Sequence, residues 1–267
     1  EKIIVVGAGA ASYRFIQSYR ALNLRDEIHV FSKEMDPFYN RVLLPEYVND
    51  TLSWEQLQKF KPGEFDSLNV TLHAQNEIVM INRSLQYIID ANGKKHVYDK
   101  LILATGSRAY IPKDAPVQLP GVFTMRMKKD ADTLKQNLKP GGCVTIIGGG
   151  LLGLELAASL RYMDINISII QLSGRLMERQ LDNLSGQLLL EFVEELDIKV
   201  YLNDEVNRID ASENIEEKLT VNLKSGKLIK ADAVVFAVGT MPNIEFAQEA
   251  GIETARGVLV NDYLQTN

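Results

Sequence analysis

The chain has 267 residues, 46% hydrophobic and 24% charged, which is ordinary globular usage with enough apolar material for two medium cores. Its 29 Lys and Arg against 35 Asp and Glu give a net charge of −6 and are scattered rather than striped, so nucleic acid is excluded as a partner. The single cysteine, Cys143, excludes an intrachain disulfide framework and a CxxC redox pair, and no apolar run is long enough to span a membrane. The chain reads as cytoplasmic, with no membrane partner, and any redox chemistry must use a bound cofactor.

The first element is IIVVGAGAAS, residues 3 to 12: a short β-rich run, two glycines, then small residues. Ala11, Phe15, Tyr19 and Leu22 follow at helical spacing, and a second β-rich run covers Glu27 to Phe31. This is a βαβ unit of about thirty residues, the setting in which a glycine turn binds a dinucleotide. Gly7 permits the tight turn, Gly9 lets backbone approach a pyrophosphate, and Ser12 occupies the third, small position that keeps helix and strand close. Glu34 lies just past the second strand, where a carboxylate accepts ribose hydroxyls, although Ser32 is the residue directly after the strand; the alternative is a solvated loop charge.

Ser53-Trp54-Glu55-Gln56 predicts a capped short helix that Lys61-Pro62-Gly63 ends. Residues 77 to 104 predict a meander with strands split by Asn92-Gly93. Pro112, Pro116 and Pro120 mark a linker near 109 to 121. Beyond it VTIIGGGLLG, residues 144 to 153, repeats the opening, with Gly148, Gly150 and Gly153 each 141 positions after Gly7, Gly9 and Ser12. A helix through Leu156 and Leu160, a strand at Ile165 to Ile170 and an amphipathic helix carrying Leu184, Leu188, Phe192 and Leu196 come next. LILATGS (101 to 107) and VVFAVGT (234 to 240) close the two halves alike, each a strand ending in Ala-x-Gly, with Gly106 and Gly239 as the glycines. Two independent turns seldom repeat this much, so both are read as nucleotide sites.

These paired motifs resemble the FAD/NAD(P)H flavoprotein reductases of the pyridine-nucleotide oxidoreductase type over essentially the whole chain. The resemblance implies an α/β fold of two Rossmann-like dinucleotide-binding domains, the NAD(P)H domain (119–240) inserted in the FAD domain (1–118 and 241–267). It implies FAD on the first motif, with Arg41 of PFYNRVLLPEY on the flavin pyrophosphate and Thr105 and Gly106 against the cofactor, and NAD(P)H on the second, with Gly239 in the matching segment. Glu46, where ferredoxin-reductase relatives carry a Lys, is placed near the flavin, and Glu155, read as lying in a first helical turn, near the nicotinamide. YNRVLLPEY and GRLMERQLD are similar to the FAD/NAD(P)H portion of assimilatory nitrite reductase large subunits. That likeness implies electron delivery to a downstream redox domain or protein, with iron–sulfur and siroheme centres only if a C-terminal part follows. The family's last FAD segment, a strand ending in Gly-Asp, is expected just past Asn267, which leaves weak FAD retention as the expectation for these 267 residues. A stand-alone rubredoxin- or ferredoxin-type reductase and a flavin-bearing sensor or interaction protein are the alternatives.

Gln171 stands at the position of the second half that matches the ribose site, where an acid would favour NADH; with Arg175 nearby, the expectation is a shallow choice between NADH and NADPH, the alternative being that Gln171 merely ends a strand. Cys143 is read as packing, and His29, His73 and His96 as single structural residues without metal-ligand spacing.

Overall fold

The computed structural model describes residues 1–36, 38–60, 63–212 and 218–267. The chain forms two compact units: Glu1–Asn40, Glu55–Arg108 and Met241–Asn267 make the first, Arg41–Trp54 and Ala109–Thr240 the second. The expected linker near 109–121 falls at a change of unit, while segment 41–54, which the resemblance gives to the FAD domain, packs with the second.

In the first unit four parallel strands run in the order Val70–His73, Glu27–Phe31, Lys2–Val6, Lys100–Leu103, with Ile3 opposite Ile28 on one side and Lys100 on the other. Side chains of the central strand alternate between faces. Ile3 and Val5 pack under helix Ala10–Arg20 with Ile16, Ile28, Val30 and Phe38; Ile4 and Val6 pack on the other face with Phe31, Ile78, Ile81, Ile88 and Tyr98. Burial on both faces explains why the run from Ile3 to Val6 has no polar alternation. The expected meander is present as antiparallel strands Ile78–Asn82, Tyr87–Asp90 and Lys95–Val97, turning at Gly93 with φ +78°. Residues Lys100–Leu103 then leave it for the parallel sheet.

Two local expectations need correction. In helix Ala10–Arg20 the buried stripe is Ser12, Ile16 and Arg20, one position over from the aromatic one, and Leu22 lies beyond the helix in solvent. Phe15 and Tyr19 are partly buried beside it and stack on each other. Arg20 is tolerated inside because its guanidinium donates to the carbonyls of Asn23, Asp26, Leu68 and Asn69, tying the loop at 23–26 to the start of the third strand. The helix opened by Ser53 spans only Trp54–Leu57; Lys61 and Pro62 lie outside the described residues, and Gly63, at φ +78°, precedes a further short helix Glu64–Ser67 rather than ending the earlier one.

The second unit repeats the plan. Five parallel strands run in the order Lys199–Leu202, Asn166–Gln171, Cys143–Ile147, Ala233–Phe236, Val122–Thr124, with helix Leu151–Arg161 after the glycine turn and a meander of Val206–Ala211, Leu219–Leu223 and Leu228–Ala231. Leu156 and Leu160 are buried as expected. Helix Asn183–Glu195 forms where periodicity predicts, capped by the Asp182 carboxylate accepting from the Ser185 N–H at 2.8 Å. Its apolar stripe faces outward, however: Leu184, Leu188 and Phe192 are exposed, while Gly186 and Val193 turn inward, Gly186 against the stem of Arg175. Segment 41–54 contributes helix Leu44–Val48, which packs on helices Lys128–Asn137 and Leu151–Arg161 and buries Leu44, Pro45 and Val48. Tyr47 Oη donates to Asp132 at 2.6 Å and Asn49 Nδ2 to the Ser159 carbonyl at 3.2 Å. Among the described residues no helix is long and apolar enough to cross a membrane.

Candidate functional site: two glycine turns

The two turns have the same hydrogen bonds. Gly7 N–H donates to Phe31 O and Ala104 N–H to Val6 O, each at 2.8 Å; Gly148 N–H donates to Ile170 O and Ala237 N–H to Ile147 O, again at 2.8 Å. Each first glycine is left-handed (φ +103° and +113°), and a Cβ there would strike the carbonyl of the Ala-x-Gly alanine, Ala104 or Ala237. The pairing of glycine turn with Ala-x-Gly, 97 residues apart from Gly7 to Ala104 and 89 from Gly148 to Ala237, is therefore steric: neighbouring strands bring the alanine carbonyl against a backbone that has room only for hydrogen.

The second glycines are different. Gly9 (φ −102°) and Gly150 (φ −87°) have ordinary backbone angles, and a Cβ on either would meet nothing within 4 Å. The fold itself has no need of glycine there. Each is the N-cap of an eleven-residue helix that lacks a side-chain cap, so uncapped N–H groups point out of an open cradle. A pyrophosphate fits both cradles: it needs the space a side chain would fill and the donors a cap would take.

The third positions are packing residues. A Cβ on Gly153 would overlap the Gly148 carbonyl; Ser12 is fully buried and its hydroxyl donates to the Gly7 carbonyl, so it closes the turn from inside. Gln171, buried at the end of its strand, is also part of a turn: its Oε1 accepts from Gly149 N–H at 2.7 Å and its Nε2 donates to Ser173 Oγ at 2.7 Å. Arg175 donates to the carbonyls of Leu181 and Glu178 and to Asn183 Oδ1, which fixes the 175–183 loop. Glu34 accepts from Tyr39 Oη at 2.8 Å, and its backbone N–H donates to Ser32 Oγ at 3.1 Å. Arg41 belongs to the second unit, where its guanidinium donates to the Arg126 carbonyl at 3.1 Å.

Asn243 has no counterpart among the sequence-derived candidates. Thr105 Oγ1 donates to Asn243 O at 2.9 Å, Asn243 Nδ2 to Thr105 O at 2.8 Å, and Asn243 N–H to Gly106 O at 3.0 Å. Arg108 adds bonds to Asn243 Oδ1 and Glu245. Thr105 and Gly106 thus hold the returning chain at 242–245, and only the Pro242-Asn243 pair after Thr240 could have signalled it. Gly239, at φ +109°, lies open and accepts from Tyr110 N–H at 2.9 Å.

Helix Leu151–Arg161 has no acid in its first turn; Glu155 opens the second, so the helix dipole does not account for it. Burial raises its proton affinity, and the negative charge of Glu46 raises it further. Glu46 Oε2 is buried without a hydrogen-bond partner among the described residues.

The three histidines are not single. His29 Nδ1 lies 3.1 Å from His73 Nε2, His73 stacks on Phe31 with centroids 4.2 Å apart, and His96 Nε2 meets Asp90 Oδ2 at 2.8 Å. Strand pairing of Phe31 with His73 assembles them, which spacing along the chain does not reveal. Burial and the neighbouring rings push His73 down to about 4, and burial lowers His29 as well. Burial alone would raise Asp90, but hydrogen bonds from His96, Asn76 and the Lys94 and Asn92 N–H groups hold it well below the carboxylate range. Among the described residues no group of three or more His, Cys, Asp or Glu is arranged to hold a metal.

Two parallel sheets, each with a left-handed glycine stacked on a neighbouring strand and an open glycine at a helix N-terminus, define a protein with two dinucleotide-binding domains. The chain belongs to the pyridine nucleotide-disulphide oxidoreductase family, whose model matches residues 1–267, and membership implies binding of FAD and NAD(P)H. It is 31% identical over 268 residues to the assimilatory nitrate reductase electron transfer subunit of Bacillus subtilis (strain 168) and 33% identical to the nitrite reductase [NAD(P)H] of the same organism. All of this chain is matched, but only 34% and 33% of those two proteins, so it spans about a third of their length. Rubredoxin-NAD(+) reductase of Ectopseudomonas oleovorans is 30% identical, with 99% of this chain matched to 69% of that protein. Among solved structures, putidaredoxin reductase in its covalent complex with putidaredoxin superposes with a TM-score of 0.94 at 24% identity, over 100% of this chain and 65% of that one. NADH:rubredoxin oxidoreductase from Clostridium acetobutylicum gives 0.83 at 31% identity, over 99% of this chain and 65% of that one.

Proposed function

We propose that this chain is the FAD- and NAD(P)H-binding portion of an electron-transfer flavoprotein that carries electrons from NAD(P)H through flavin to a downstream redox centre, as in the nitrate and nitrite reductases it is similar to. The observation that carries the reading is the pair of open glycines, Gly9 and Gly150: glycine at ordinary backbone angles, facing empty space at an uncapped helix N-terminus, is explained by a ligand and not by the fold. In this reading the first turn holds the FAD pyrophosphate, with Glu34 toward the ribose, and the second holds that of NAD(P)H, with Gln171 at the base of the turn.

Bound flavin supplies the capacity to accept a pair of electrons from a reduced nicotinamide and release them singly or together. The residues of the chain have positional tasks. Gly7 and Gly148 set the turns, Ser12 and Gly153 keep helix against strand, and the helix N-termini neutralise phosphate charge. Gln171 orders the second turn by taking the Gly149 N–H. The 69% share of the rubredoxin reductase supports a second reading, a stand-alone reductase for a small redox protein.

The test is to load the protein with FAD, add NADH or NADPH without oxygen, and follow flavin absorbance. Bleaching by either nucleotide is expected; flavin that binds and stays oxidised with both would overturn the proposal. Adding rubredoxin or ferredoxin to the reduced protein then separates the second reading, since reoxidation at catalytic rates supports it.

A further inference from the structure

Two large apolar residues hold a backbone angle that their type does not favour. Of the ten left-handed non-glycine residues described, five are Asn or Asp, the types that enter this region most readily, whereas Phe38 (φ +55°) and Met177 (φ +50°) are not. Each lies in the loop after the second strand of its βαβ unit, the first past Phe31 and the other past Gln171, and each makes the same bond. Phe38 N–H donates to Ala8 O at 2.8 Å, and Met177 N–H donates to Gly149 O at 2.9 Å. Ala8 stands between Gly7 and Gly9, and Gly149 between Gly148 and Gly150, so both bonds reach the middle residue of a glycine turn. The two loops share no residue pattern; what repeats is the backbone geometry.

Both loop residues are themselves anchored. Phe38 O accepts from Lys59 N–H at 2.8 Å, and its buried ring packs among Tyr13, Phe60 and Phe65. Met177 O accepts from the Gln180 and Leu181 N–H groups at 2.9 and 3.0 Å. Beside it Leu176 is fully buried, its Cδ2 filling the space where a Cβ on Gly149 would stand. Gly149 is thus held at both ends, by Met177 at its carbonyl and by Gln171 at its N–H. The peptides are trans, so the carbonyl of one residue and the N–H of the next point in opposite directions. Pinning the carbonyls of Ala8 and Gly149 therefore turns the N–H groups of Gly9 and Gly150 away from the pinning loops; neither has a hydrogen-bond partner among the described residues. Strain of this kind persists where the surroundings over-determine it. We propose that Phe38 and Met177 are positioning residues for the two pyrophosphate cradles: each, held left-handed by its loop, fixes the middle of its turn and so aims the N–H of Gly9 or Gly150 into the cradle. The role rests on the reading of the turns as nucleotide sites; the two bonds and the two angles do not.

Met177 is half-buried, so its side chain can be changed without opening a core, and the test is made there. Substitutions sort by the angle they accept: Gly and Asn enter the left-handed region readily, Leu resembles Met, and β-branched Val tolerates it least. The probe is ADP-ribose, which carries the pyrophosphate without the redox-active ring. It is titrated into the intact protein and each variant with the Gly150 amide resonance reporting this turn, and urea midpoints are measured in parallel. Met177→Val is expected to weaken binding about tenfold or more and to displace the unliganded Gly150 resonance, while the Gly, Asn and Leu variants bind within about threefold of the parent. Glycine, which lacks the whole side chain, thereby restores what valine loses. In the parent itself the Met177 amide is expected to be protected from hydrogen exchange, a measurement that needs no variant to fold. A merely structural role would lower the urea midpoint of Met177→Val and leave the affinity of the folded protein and the Gly150 resonance unmoved, which would overturn the proposal. So would binding lost equally in Met177→Gly and Met177→Val, or a Met177 amide that exchanges as fast as an exposed one. If ADP-ribose, NADH and NADPH all fail to bind the parent although that amide is protected, the reading of the turn fails and the positioning role with it, while the bond stands.

Discussion

Alanine at two glycines two residues apart should do opposite things. At Gly148 a Cβ would sit 2.5 Å from the Ala237 carbonyl oxygen and 2.9 Å from its carbon, both backbone atoms on a neighbouring strand, and φ is +113°. An L-residue at such an angle costs about 1–3 kcal/mol, and a backbone clash that no rotamer relieves adds to it. Roughly 3–4 kcal/mol is a large share of the about 5–15 kcal/mol that holds a domain. At Gly150 the angle is −87° and nothing lies within 4 Å, so Gly150→Ala gains about 0.4–1 kcal/mol from the unfolded chain and loses a similar amount as a poorer N-cap. Its stability should match the parent within about 0.5 kcal/mol. Nucleotide binding reverses the order. Filling the Gly150 cradle removes at least one charge-assisted bond to phosphate, about 1.5–3 kcal/mol or roughly ten- to hundredfold in affinity, and Gly150→Val should abolish detectable binding. Urea midpoints report the first quantity and titration with NADH and NADPH the second. If Gly150→Ala unfolds as readily as Gly148→Ala, or Gly150→Val binds undiminished, the division between fold glycines and ligand glycines is wrong.

By the same logic Gly9→Val should lower FAD affinity with little change in urea midpoint, and equal flavin content in variant and parent would count against the first turn as its seat. Asn243→Ala removes the amide bond to Thr105 O and the acceptor for Arg108, and should destabilise the first unit by about 1–3 kcal/mol; a change under about 0.5 kcal/mol would show the clamp is redundant. Gln171→Glu keeps the acceptor for Gly149 N–H but adds a charge at the ribose end of the strand, and should move the ratio of catalytic efficiencies toward NADH; an unmoved ratio would mean the position does not face the ribose. His73 binds its proton more weakly folded (about 4) than unfolded (6.5), so the unfolded chain holds more protons between those values and stability falls as pH drops through them. For a half-buried ring, allowing for solvent screening, the loss is about 1–2 kcal/mol, and His73→Gln should flatten the fall in urea midpoint between pH 7 and pH 5.

What the sequence reveals here is what period and punctuation encode. The runs at Ile3–Val6 and Val144–Ile147, the Asn92-Gly93 turn and the repeat of 141 positions all correspond to elements in the structure, because strand burial, left-handed turns and duplicated motifs leave local marks. What period does not encode is which side of an amphipathic element meets the core. The helix at Asn183–Glu195 has the expected stripe, but its buried positions are Gly186, against the stem of Arg175, and Val193, while Leu184, Leu188 and Phe192 are exposed. Individual site residues were hidden for a related reason. Gln171, Ser12 and Thr105 stand where ligand contacts are sought, yet their hydrogen bonds run to Gly149, Gly7 and Asn243, partners fixed only once strands are paired. The histidine cluster is the extreme case: strands Glu27–Phe31, Val70–His73 and Lys95–Val97 bring together residues up to 67 positions apart.

Segment 41–54 packs with the second unit while residues on either side of it pack with the first, so the chain changes unit at 40/41, 54/55, 108/109 and 240/241. During synthesis this imposes an order. Leu44, Pro45 and Val48 leave the ribosome long before Leu156, Ala157 and Ser159 of the helix they pack on, and Thr105 waits for Asn243, the partner of its clamp, until 138 further residues have emerged. Neither unit is a continuous stretch that closes by itself as it appears. Both depend on contacts distant in sequence, the topology that folds slowly and keeps apolar surface uncovered in the interval. Gene-level cutting at the apparent linker would meet the same obstacle: residues 109–240 made alone would present, bare, the surface on which helix Leu44–Val48 rests.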